Sequence, residues 1–125
     1  MSLDRSRIRV RRVIAAIDCG YVVNPLSVEM QIQGAIVFAL TAALRGEITI
    51  KNGAAEQSNF DTYEMLRLSD APVVETVIVP SGDFWGGVGE PPVPPLAPAL
   101  CNAIFAATGQ RIRALPVKNH DLRSI

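Results

Sequence analysis

Histidine, cysteine and charge are all scarce in this chain of 125 residues. One histidine, His120, and two cysteines, Cys19 and Cys101, are present, and the cysteines lie far apart without forming a CxxC pair. That spacing argues against a zinc site and against a disulfide scaffold. Cys101 sits in an apolar helical run and reads as a buried structural thiol. Cys19, beside Gly20, is open to exposure, but no histidine stands near it in sequence to make it a nucleophile. His120 falls in a polar tail that reads as solvated and fraying. Charged residues make up 19% of the chain and balance, twelve basic against twelve acidic. Nothing here points to nucleic acid or an anionic membrane as a partner. No segment reads as a signal peptide or a transmembrane run. Internal repeats and low-complexity linkers are also missing.

Apolar residues are abundant instead, at 49% of the sequence. A chain of this length forms one domain, residues 1–125, burying roughly two thirds of its unfolded surface. So much apolar surface on so short a chain predicts a face that packs against something else, either a further polypeptide or a second copy. The opening Met1-Ser2-Leu3 reads as an added start, with a natural N-terminus expected upstream. Arg5, Arg7, Arg9, Arg11 and Arg12 crowd the beginning. Alternation of Arg7, Arg9 and Arg11 with Ile8 and Val10 fits a strand with one wet face better than a polyanion site.

Ile8 to Asp18 reads as a strand with an apolar, interior finish. Gly20 breaks it, and Tyr21-Val22-Val23 continues extended. Asn24-Pro25 then marks a helix entrance, Asn24 as cap and Pro25 in the first turn. Ser27 to Leu44 is the longest helical signal, apolar on every side beyond Gly34 and therefore predicted central and buried, with Gly46 as its C-cap. Lys51-Asn52-Gly53 predicts a hairpin turn between short strands. Ser58 to Tyr63 has turn chemistry, and Met65 to Leu68 reads as a short extended piece. Pro72 to Pro80 reads as a partly exposed strand. Leu96 to Thr108 forms a second apolar helix stopped by Gly109, and Arg111 to Pro116 is a last extended segment. The order predicts an α+β fold: a mixed or mainly antiparallel sheet with two apolar helices packed on it.

The most informative stretch is Gly86-Gly87-Val88-Gly89-Glu90-Pro91-Pro92-Val93-Pro94-Pro95. Its glycines permit close backbone approach to a ligand. Glu90 is the sole carboxylate between Asp83 and Asp121, and Pro91 biases it towards an extended conformation. The prolines that follow stiffen the exit. By its residues alone, the stretch is either a proline-rich surface loop with an incidental acid or the presentation of one acid to a site. A phosphate-loop reading is weak, because the Gly-Lys-Ser/Thr ending is missing.

Gly-Val-Gly-Glu-Pro-Pro ahead of an alanine-rich helix resembles the C-terminal active-site segment of the molybdenum hydroxylases, the xanthine dehydrogenase and aldehyde oxidase relatives. The match is to large subunits of the isoquinoline 1-oxidoreductase type. It runs from about Val13 to Pro116 and includes Asp18-Cys19-Gly20, Asn24-Pro25, Gln31-Ile32-Gln33-Gly34, Asn59-Phe60-Asp61 and Ala106-Ala107-Thr108-Gly109. The resemblance implies a molybdopterin cofactor in the complete enzyme. It makes Glu90 the general base that deprotonates the hydroxyl attacking an electron-poor carbon beside a ring nitrogen. Such a base needs hydrogen-bond reach and a suitable pKa, and partial burial among Val88 and the prolines would raise it. The resemblance further implies cofactor contacts at Gln31 and Gly89, an aldehyde or N-heterocyclic aromatic substrate, and an iron–sulfur partner subunit. Gln33 stands where many relatives carry glutamate, so an ionic role is lost there. Large subunits of this family are several times longer, so this chain reads as the C-terminal piece of one, catalytically silent alone. The other reading is a non-catalytic interaction or oligomerisation domain.

Overall fold

The computed structural model describes residues 2–4 and 7–122. Its elements are β1 (Ser2–Asp4), β2 (Arg7–Arg9), β3 (Arg12–Ile17), α1 (Pro25–Leu44), β4 (Ile50–Lys51), β5 (Ala54–Ala55), β6 (Val73–Ile78) and α2 (Val93–Thr108). Single 3-10 turns occur at Leu68–Asp70 and Val117–Asn119.

Strand β3 leads through α1 and a long return to β6, and the two strands pair in parallel from Arg12↔Val73 to Ile17↔Ile78. A parallel pair needs such a crossover, because no tight turn can join its ends. The other pairs, β1 with β2 and β4 with β5, are antiparallel. Two helices and small sheets of both senses make the α+β fold that the sequence predicts. The predicted strand from Ile8 to Asp18 is instead two strands, split at Val10–Arg11 and belonging to different ladders.

Helix α1 lies between the parallel ladder and α2. Val28, Ile32, Ile36, Ala39, Leu40 and Ala43 on α1 meet Leu96, Leu100 and Ile104 from α2, with Ile32, Leu40 and Ile104 fully enclosed. Each such Leu or Ile contributes about 1.5–3 kcal/mol when removed from water. The inner face of the ladder, Val13, Ala15, Ile17, Val74 and Ile78, is half-buried against this core.

Local signals in the sequence hold where local chemistry decides. Asn24 caps α1 by accepting from the Ser27 amide at 3.3 Å, and Pro25 occupies the first turn. Asn52 and Gly53 both have positive φ, 52° and 78°, as an Asn-Gly hairpin turn demands. Gly109, with φ 72°, stops α2. Gly46 is not the cap expected of it: Arg45 caps α1, and the Arg45 and Gly46 amides both donate to the Thr41 carbonyl, at 3.0 and 2.9 Å.

Several expectations are overturned. Helix α2 starts at Val93, three residues before the predicted Leu96, because the first-turn amides of a helix have no intrahelical partner and Pro94 and Pro95 lose nothing there. Residues 21–23 bend rather than run extended. Helix α1 is not wholly buried. By length and composition it could cross a membrane, contrary to the sequence expectation, yet 44% of that window is buried inside the fold. Cys19 is buried, while Cys101 is only half-buried. The tail does not fray through Leu122: Val117 is buried, Lys118 pairs with Glu47 at 3.4 Å, and a His120 ring nitrogen lies 2.8 Å from the Ala114 carbonyl. His120 is thus half-buried and engaged rather than solvated.

Candidate active site

Beyond the paired strands, the segments that follow β3 and β6 stay tied. The Asp18 carboxylate accepts from the Gly20 amide at 3.0 Å and from the Ser81 hydroxyl at 2.7 Å. The Tyr21 amide donates to the Asp83 carbonyl at 3.2 Å, and the Gly86 amide to the Cys19 carbonyl at 3.0 Å. The Gly20 amide, helped by the Ser81 hydroxyl, holds the Asp18 carboxyl below the usual carboxylate range. Gly20 has φ 74°, and a Cβ there would stand 2.2 Å from the Phe84 carbonyl oxygen. Only glycine fits. The result is a fixed platform from which residues 87–90 depart.

At the far end of that departure, the Val93 amide donates to the Glu90 carbonyl at 2.9 Å, closing a turn through Pro91 and Pro92 into α2. Glu90 is exposed and lines an open cavity of about 540 Å³ with Gly87, Gly89, Pro91 and Pro94. Val88 is not in that lining; it turns inward and is half-buried against the core. The partial burial predicted for Glu90 is therefore not met: Val88 points to the core and the glycines and prolines beside the acid leave it exposed.

Gln31, in the second turn of α1, is exposed. A Cβ on Gly89 would have a single neighbour within 4 Å, the Gln31 Oε1 at 3.7 Å. The structure thus brings Gln31 and Gly89 together; Glu90 follows Gly89 in the chain and shares its cavity, whose lining does not include Gln31. Among the described residues, neither the Gln31 amide nor the Glu90 carboxylate makes a hydrogen bond. One neutral donor–acceptor and one anion, both uncommitted, flank a backbone stripped of side chain. This donor set suits a polar heterocyclic ring system such as a pterin, which needs both donors and acceptors. It does not suit a metal ion directly, since among the described residues no three His, Cys, Asp or Glu side chains cluster. A phosphate cradle is disfavoured as well. Pro94 and Pro95 carry no amide, and the Val93 amide is already used.

The other matched motifs lie outside this constellation. The Asn59 carbonyl and side chain close a local turn with Phe60, Thr62 and Tyr63. Gly109 ends α2, about 24 Å from its start. Sequence reasoning missed the Asp18–Ser81 tie, since 63 residues separate the partners. It also missed that Phe84 and Trp85 stand exposed just before the glycines, their ring centroids 6.0 Å apart.

A sequence model of the molybdopterin cofactor-binding domain matches residues 2–72. The β subunit of isoquinoline 1-oxidoreductase from Brevundimonas diminuta is 35% identical over 92% of this chain and 15% of its own length. The membrane-bound aldehyde dehydrogenase of Gluconacetobacter polyoxogenes is 34% identical over 96% of this chain and 16% of its own. Among solved structures, the CO dehydrogenase of Oligotropha carboxidovorans superposes with a TM-score of 0.76 at 26% identity, covering 90% of this chain and 15% of that one. Quinoline 2-oxidoreductase from Pseudomonas putida 86 gives 0.75 at 26%, covering 87% and 15%. The chain thus spans about one seventh of the length of these relatives. With a family match over residues 2–72, more than half its length, the chain belongs to the molybdopterin cofactor-binding domain family.

Proposed function

We propose that this chain is the C-terminal, base-contributing part of a molybdopterin-dependent oxidoreductase that hydroxylates N-heterocyclic aromatics or aldehydes. The observation that carries the reading is the approach of Gly89 to the Gln31 amide, 3.7 Å from where a Cβ would stand, with the Glu90 carboxylate on the same open cavity. When bound, the cofactor supplies a molybdenum centre that accepts the electrons removed from the substrate.

Gln31 would hold the cofactor's ring edge, donating through its amide nitrogen and accepting through its oxygen. Gly89 would leave room for the ring to approach the backbone. Glu90 would accept the proton from the attacking hydroxyl, a general-base role that requires a free carboxylate within hydrogen-bond distance. The Asp18–Ser81 tie anchors the loop upstream and the prolines fix its helix side, so the adjustment that brings the carboxylate to substrate would fall on Gly87 and Gly89. Names of relatives, isoquinoline 1-oxidoreductase and nicotinate dehydrogenase among them, support a heteroaromatic ring as substrate. Electrons would leave through an iron–sulfur subunit, and the cavity would be closed by the remainder of the molybdopterin subunit.

Glu90→Gln in the complete assembly tests the base. Turnover falls by roughly 10²–10⁴-fold while molybdenum and pterin content stay at the native level. Retained turnover would remove Glu90 from the role. A non-catalytic docking or oligomerisation domain is the second reading, favoured by the apolar surface left bare on α1. Light scattering that shows self-association, with no molybdenum retained by the complete assembly, would favour it.

A further inference from the structure

Along α1, Leu26, Met30, Gly34, Phe38 and Ala42 form one continuous row at four-residue spacing, opposite the row that faces α2 and β6. Leu26 and Met30 are each 64% exposed and Phe38 69%. A surface helix ordinarily carries charge on its wet side. Here, none of the exposed α1 residues is charged. The row is about 24 Å long. At its midpoint, a Cβ on Gly34 would meet nothing within 4 Å. Met30 and Phe38 rise on either side, so the surface has a notch between two apolar ridges, the shape that receives a side-chain ridge of a crossing helix.

We infer that this row is the seat of an apolar helix from the part of the enzyme lying outside these 125 residues, crossing α1 over Gly34. This rests on reading the chain as one portion of a larger subunit. The occupant is chosen because relatives of this family are six to seven times longer, the chain covering 15–16% of them. A row without charge also matches the apolar interior of such a subunit. Gln31, the exposed residue after Met30, lies 3.7 Å from where a Cβ on Gly89 would stand, and Gly89 lines the Glu90 cavity, so the seat borders that cavity. The same crossing would then supply cover for the site that this chain leaves open.

The test co-expresses this chain with the Brevundimonas diminuta isoquinoline 1-oxidoreductase β subunit from which its matching 115 residues have been deleted. The native chain is expected to co-purify in equal amount. Gly34→Leu and Phe38→Lys are expected to lower recovery at least tenfold, while circular dichroism and the thermal midpoint of Gly34→Leu alone stay at or above native. Glu90→Gln associates normally, so failure of the base assignment and failure of the seat are read separately. Native-like recovery of Gly34→Leu, or no recovery of the native chain, overturns the proposal. So does a lower midpoint for Gly34→Leu alone, which would mean the notch is already filled. Self-association abolished by Gly34→Leu would assign the face to a second copy. Gly34-dependent binding to phosphatidylcholine–phosphatidylglycerol vesicles would assign it to lipid. Either result removes the helix.

Discussion

Residues 81–86 and residues 87–90 belong to one continuous segment, yet they are built to opposite ends. The first half is pinned by the Asp18 carboxylate and by backbone bonds to Cys19 and Tyr21, and at Gly20 no side chain can be inserted. In the second half only Val88 packs inward; a Cβ on Gly87 would meet no atom within 4 Å, and one on Gly89 only the Gln31 amide. Glycine serves both halves for different reasons. At Gly20 it answers crowding and left-handed φ, whereas at Gly89 it preserves empty space. The difference separates a residue needed for folding from one whose added methyl the fold would accept, and each can be broken independently.

The largest stability effect is expected at Gly20→Ala. The added methyl enters the Phe84 carbonyl and the residue must keep φ 74°. A loss on the order of 3–5 kcal/mol follows, seen as a thermal midpoint roughly 10–20 °C lower. A smaller, pH-dependent effect belongs to Asp18. Its folded pKa is depressed by the Gly20 amide and then by Ser81. Its contribution is therefore fully present above the unfolded carboxylate pKa of about 4 and lost as pH falls through the lower folded value. Asp18→Asn keeps an oxygen acceptor in the same position and should flatten the stability-against-pH curve below about pH 4, with little change at neutral pH. Smallest in stability is Gly89→Ala, expected within about 0.5 kcal/mol of native because its Cβ makes only an ordinary contact. In the complete enzyme, however, molybdenum and pterin content should fall. Unchanged content would show that the space at Gly89 is not used.

The parts of this molecule readable from sequence are those decided within a few residues. Asn24-Pro25, Asn52-Gly53 and Gly109 carry their conformational demands in their own side chains or in the lack of one. The parallel pairing of β3 with β6 was not readable, because its partners lie 61 residues apart and neither strand carries a signal for the other. The bare side of α1 was misread for a different reason. Composition cannot distinguish a helix buried on every side from one whose apolar side stays exposed. Glu90 itself was legible as a lone acid between glycines and prolines, but its exposure was not. Burial at that point is set by which way Val88 and the glycines turn, and that is not written in the local sequence. The outer face of the ladder repeats the lesson: Ile14, Val73 and Val77 stay exposed around the bidentate Arg12–Glu75 pair, although parallel sheets are ordinarily covered on both sides.

Four of the five positions after Glu90 are proline, so φ is fixed almost without interruption on the helix side. Rotational freedom near the carboxylate is therefore one-sided, concentrated in Gly87 and Gly89. Any adjustment of the acid towards a bound ring would be absorbed by those two residues, while the helix start behind it stays still. The group can swing, but only from its upstream hinge.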